Sequence, residues 1–99
     1  MAKEIKEINA LTKVYDLLLW IIPVLESFPR NQRFLLGNRI EESLLDIMDL
    51  IIQAVYTKEK MSYLKEANLM IEKLRYLIRL SKDFKYLSIK KYEYIFLEV

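Results

Sequence analysis

From Gly37 onward the residues Gly37, Ile40, Leu44, Ile47, Ile51 and Ala54 recur at steps of three and four, which places all six on one face of an α-helix. A helix with such a seam is stable only when the seam is laid against other helices. Leu45, Met48, Ile52 and Val55 form a second apolar stripe beside the first. Two adjacent stripes make an arc wider than one neighbour covers, so this helix is expected to touch two partners or to lie centrally in a bundle.

The same period runs through the rest of the chain. Leu11, Val14, Leu18, Ile21, Leu25 and Phe28 mark a first helix, with Asn9 or Thr12 as its expected N-cap. Pro23 has no amide hydrogen to give the Leu19 carbonyl, so this helix is expected to bend there or end soon after. Pro29 suits the first position of the second helix. A third helix opens near "TKEKMSYL", with Leu64, Ala67, Ile71, Leu74 and Ile78 on its core side, Met70, Leu77 and Phe84 flanking them, and an end around Lys85. Ser88 is a good N-cap for a short fourth helix, "IKKYEYIFLEV".

No segment alternates as a half-buried strand would. With one Gly and two Pro in 99 residues, little material remains for turns or linkers. Short connections near Phe28, Thr57 and Tyr86 make consecutive helices antiparallel neighbours. The expected fold is all-α, an up-down-up-down four-helix bundle with a short or truncated fourth helix, formed as a single domain over residues 1–99.

The chain has no Cys and no His, which excludes disulfides, thiolate nucleophiles and the commonest general base and metal ligand. The acidic stripe Glu42, Asp46 and Asp49 has a spacing that suits metal carboxylates, but a ferritin-like site also needs histidines. The stripe is read as solvated or salt-bridging, and neither metal, cofactor nor catalytic role is expected. Runs such as "LLLWIIPVL" are too short to cross a bilayer, and "MAKEIKEINA" lacks the apolar stretch of a signal peptide. A soluble cytoplasmic protein is expected, with no membrane partner.

Charge is unevenly distributed. Residues 1–57 carry six Lys/Arg and eight Asp/Glu, whereas residues 58–99 carry ten and six. Arg75, Arg79 and Lys82 share one polar face of the third helix, and Lys73, Lys85, Lys90 and Lys91 extend the positive region into the fourth. Such a face suits a polyanion or an acidic partner, or else its cations pair with Glu72, Asp83 or the acidic stripe. Arg30, Arg33 and Arg39 crowd the start of the second helix, where cations oppose the positive end of the dipole. Either Glu26 neutralises one of them, or they meet another subunit or phosphate. Gly37 on the core seam suggests close approach of another helix backbone. Tyr15, Trp20, Tyr56, Tyr63, Tyr76, Tyr86, Tyr92 and Tyr94 offer stacking platforms, and are read mainly as core-edge or subunit-interface residues.

Two segments together carry a resemblance: "YDLLLWIIPVLESFPRNQRFLLGNRIEESLLDIMDLIIQA" and "LKEANLMIEKLRYLIRLSKDFKYLSIKKYE". From about Lys13 the chain resembles the four-helix-bundle family of the accessory variability determinant (Avd) proteins of diversity-generating retroelements. That superfamily also holds bundle proteins encoded in intervening sequences of bacterial ribosomal RNA genes. The "FPR-x-x-R" entry and the "LR-x-L-x-RL" segment distinguish the match from a generic bundle. Family members usually continue through a longer fourth helix, so either this chain is trimmed or a neighbour supplies the missing turns. The resemblance implies a non-catalytic accessory factor, a homo-oligomer (a pentamer in the family) that binds a reverse transcriptase and its template RNA. Carried over by position, the implied binding residues are Arg30, Arg33, Arg39, Arg75, Arg79 and Lys82. The alternative is a protein-interaction module of the ribosomal intervening-sequence type, without a reverse transcriptase partner.

Overall fold

The computed structural model describes the backbone of residues 2–98 and the side chains of residues 9–95. Four helices make the body: α1 (Ala2–Leu25), α2 (Asn38–Val55), α3 (Lys60–Asp83) and α4 (Ile89–Glu98). Consecutive helices run antiparallel. α2 packs on both α1 and α3, and α4 closes the square by touching α3 and α1. No strand occurs among the described residues, so the all-α four-helix bundle read from the periodicity is the fold of this chain.

The seam residues are where the spacing puts them. Ile40, Leu44, Ile47 and Ile51 meet Leu18, Ile21 and Leu25 of α1 and Leu74 and Ile78 of α3 in one apolar cluster. The broad arc of α2 does serve two neighbours. Its second stripe, however, stays half open, with Leu45 at 40% and Ile52 at 37% exposure.

Pro23 lies inside α1, and the helix ends two residues later. The amides of Ser27 and Phe28 then reach back only three residues, to Val24 and Leu25, which tightens the last turn. α1 starts at Ala2, so Asn9 and Thr12 are interior residues and not its caps. Pro29 stands one position before the first helical residue, Arg30, with an extended ψ of 143°. The chain then enters α2 through a helical turn, Arg30–Gln32, and a π-helical segment, Arg33–Gly37. The widened turn leaves Phe34 and Leu35 outside while it buries Gly37.

Gly37 does not mark a close backbone approach. An added Cβ would lie 3.9 Å from the Leu25 Cβ and 3.7 Å from the Arg33 Cγ, ordinary van der Waals distances, and φ is helical at −59°. Gly37→Ala is therefore expected to stabilise the fold by about 0.5–1 kcal/mol, because alanine narrows the unfolded ensemble without a clash. A thermal melt checks this.

α3 stops by a hydrogen-bond pattern that usually employs glycine. The amide of Tyr86 donates to the Ser81 carbonyl (2.9 Å) and that of Lys85 to the Lys82 carbonyl (2.8 Å), the paired bonds of a Schellman end. Lys85 occupies the left-handed position at φ 65°, which costs a residue with a Cβ about 1 kcal/mol. Lys85→Gly is expected to recover most of that and raise Tm by about 4–8 °C. Phe84, expected beside the core, is 57% exposed and stacks on Tyr86 instead, at 5.6 Å between ring centres.

Ser88 caps α4, as its place in the sequence suggests: its Oγ accepts from the Lys91 amide at 3.2 Å. α4 has ten residues, about 15 Å of helix, in a body 43 Å long. It fills the fourth corner of the square at one end only. At the other end a groove of about 730 Å³ opens among Ala10, Ile51, Leu64, Ala67 and Ile71.

Candidate polyanion interface

Antiparallel order brings the end of α1, the entry to α2, the end of α3 and the start of α4 to one end of the bundle. Aromatic contacts tie this end together. The Phe28 ring lies 5.8 Å from that of Tyr86, and Trp20 of α1 meets Tyr94 of α4 at 4.5 Å. Both basic segments singled out in the sequence, Arg30 to Arg39 and Arg75 to Lys91, therefore have residues at this end.

The densest group lies along the seam between α3 and α4. Arg75, Arg79, Tyr76 and Glu72 surround one shallow depression with Tyr92 of α4. The Lys82 Nζ sits 4.8 Å above the Tyr92 ring centre, close enough for attraction by the ring face. The helical period alone puts Arg75, Arg79 and Lys82 on one face. Only the docking of α4 gives them an aromatic floor. Tyr92 is one of eight aromatic candidates in the sequence, and nothing in its local spacing indicates which cations it meets.

Several cations already have carboxylate partners in the same chain. Arg75 pairs with Glu72 at 2.8 Å, Lys82 with Asp83 at 3.3 Å, and Arg79 with Asp83 at 4.0 Å. Arg33 pairs with Glu26 at 3.3 Å and lies 5.5 Å from the Phe34 ring centre. The internal-pair account thus describes these four. None of the pairs involves the acidic stripe of α2. All are substantially open to solvent, where such pairs contribute about 0–1 kcal/mol and exchange partners readily. Arg30, Arg39, Lys85, Lys90 and Lys91 are exposed and make no ion pair among the described residues. Lys73 is exposed on α3 but, by its helical phase, stands on the outer side and not on the seam.

Glu42, Asp46 and Asp49 are exposed. Among the described residues no group of three or more His, Cys, Asp or Glu is placed to hold a metal ion. No helix there is long and apolar enough to cross a membrane.

A basic, aromatic-floored seam on an antiparallel helical bundle places the chain in the class of bundle proteins whose distinctive surface is charged and whose interior is a plain apolar core. Comparison with known families is more specific: the chain belongs to the bAvd-like family, whose profile matches residues 9–99. Searches of curated proteins and of solved structures gave no significant match to the chain.

Proposed function

We propose that this protein is a non-catalytic accessory factor of a diversity-generating retroelement. It acts as an oligomeric, basic scaffold that binds the reverse transcriptase and its template RNA during mutagenic copying. Membership of the bAvd-like family supports an accessory role of the Avd type. The observation that carries the nucleic-acid part is the α3–α4 seam, where Arg75, Arg79 and Lys82 gather around Tyr92.

The mechanism is electrostatic. A phosphate that approaches the seam exchanges weak, solvated carboxylate pairs for charge-assisted bonds to the guanidinium groups. Counterions released from the RNA supply most of the driving force. One chain at a formal +2 is a poor ligand for RNA. Repetition of the seam in a homo-oligomer, a pentamer by family resemblance, links several modest interactions through a high effective concentration. Arg30, Arg39, Lys85, Lys90 and Lys91 widen the positive field at the same end and steer the approach.

The four internally paired cations favour a second reading, a protein-interaction module of the ribosomal intervening-sequence type with no reverse transcriptase partner. RNA retention over a salt series separates the two. The accessory-factor reading expects retention of structured RNA at low salt that falls linearly with log salt. Absence of retention at low salt, in a chain that is folded by circular dichroism, rules that reading out and leaves the protein-interaction module.

A further inference from the structure

The sequence offers eight Tyr and Trp side chains as stacking platforms, and four of them find partners once the bundle closes. Trp20 meets Tyr94, Tyr86 lies against Phe28 and Phe84, and the Tyr92 ring holds the Lys82 ammonium over one face. Of the other four, Tyr76 is the one that borders the basic depression between α3 and α4. It is 68% exposed, and among the described residues its ring and hydroxyl make no ring contact, cation contact or hydrogen bond.

Glu72, Arg75, Tyr76 and Arg79 fall within two turns of α3 on one strip of its surface, and Tyr92 of α4 completes the depression. Its volume is about 220 Å³, below the range of about 300–1,000 Å³ for drug-sized ligands and suited to one flat ring. Charge alone holds a polyanion only weakly here. Glu72 offsets Arg75 at 2.8 Å, whereas Arg79 keeps its side chain 63% exposed and only reaches Asp83 at 4.0 Å, so Arg79 is the cation most open to a phosphate. An exposed aromatic ring beside such a cation is the pairing by which single-stranded nucleic acid is held: phosphates meet the cations and unstacked bases lie on the rings. A duplex keeps its base faces inside its own stack and offers Tyr76 nothing.

We infer that the α3–α4 seam takes RNA in its single-stranded form, with one unpaired base stacked on the Tyr76 ring and a flanking phosphate on Arg79. This inference rests on the RNA-binding reading above and names the form of RNA that the seam selects. Every base has a π face, so stacking on Tyr76 tolerates any sequence while it rejects paired bases. A structured RNA is therefore gripped at its loops, bulges and ends, where bases are unstacked.

The test measures the affinity of the full chain for a short RNA of A and C alone, which cannot pair with itself, and for the same strand annealed to its complement. The parent is expected to prefer the single strand, and the preference should widen as salt rises, because added salt weakens phosphate contacts more than stacking. Tyr76→Ala should weaken single-strand binding by about tenfold. It should leave duplex binding and the salt slope unchanged, because no cation is lost. Tyr76→Phe keeps the ring and should bind as the parent does. The side chain is exposed, so helix content by circular dichroism should match the parent in both variants. A parent that holds the duplex as tightly as the single strand, a Tyr76→Phe variant that loses affinity as the alanine does, or a Tyr76→Ala variant that loses both RNA forms equally or neither, overturns the stacking assignment and leaves the RNA-binding reading standing. If the parent retains neither form at low salt, the RNA-binding reading fails as well.

Discussion

Leu74→Ala should lower the unfolding free energy by about 3 kcal/mol and Tm by more than about 10 °C. Leu74 is 0% exposed and stands where three helices meet. It shares the wall of a cavity of about 140 Å³ with Leu17 of α1 and with Leu44 and Ile47 of α2. Removing its branched end enlarges a void that rigid helix backbones cannot close, so the transfer energy of the deleted atoms and the dispersion attraction they made with the cavity wall are both forfeited. Against a typical total of about 5–15 kcal/mol, one such deletion leaves a marginal bundle. Met61→Ala is the control. Met61 is 64% exposed, and its truncation should change stability by no more than about 0.5 kcal/mol. Equal losses at the two positions in a denaturant titration would mean that the core is not centred on Leu74.

Removing Arg75 and Arg79 together as alanines is expected to reduce RNA affinity at least tenfold at about 0.1 M salt and to flatten the slope of log affinity against log salt. Both side chains border the depression beside Tyr92. Every phosphate that goes without its cation takes somewhat less than one unit from the slope, and in an oligomer the reduction is repeated at each engaged protomer. Helix content and Tm should hardly move, because the Arg75–Glu72 and Arg79–Asp83 pairs are solvent-exposed and weak. A fall in Tm of about 10 °C or more with unchanged RNA retention would show that these arginines serve the bundle and not a ligand. Alanine at Lys90 and Lys91, exposed at the start of α4, should weaken retention uniformly across RNA sequences, as expected of cations that meet phosphate and not bases.

The charged residues illustrate how far spacing carries and where it stops. Spacing alone sets Arg75, Arg79 and Lys82 on one face, and it offers two fates for them, pairing with Glu72 and Asp83 or binding a polyanion. The fold realises the pairs and also sets the cations beside Tyr92, so the seam is weakly neutralised at rest. Arg33 is similar: Glu26 is seven residues away and reaches it only because the chain reverses between α1 and α2. The π-helical segment at Arg33–Gly37 and the left-handed Lys85 have no signal in the residue pattern. Both are settled by where the neighbouring helices force the chain to turn.

What the sequence determined by itself is everything that depends on neighbours three and four residues apart: four helices, their core faces, the Ser88 cap and the stop after Pro23. A helix repeats its own geometry, so its apolar and charged faces can be read without knowing what lies opposite. Which faces meet is a different matter, because it depends on the rotation and register of whole helices, and these are chosen by packing the entire core at once. Only the tertiary structure therefore decided that Tyr92 floors the basic seam, that Phe84 turns outward, that Gly37 has room for a methyl group, and that Leu69, Tyr76 and Leu80 of α3 stay open to solvent.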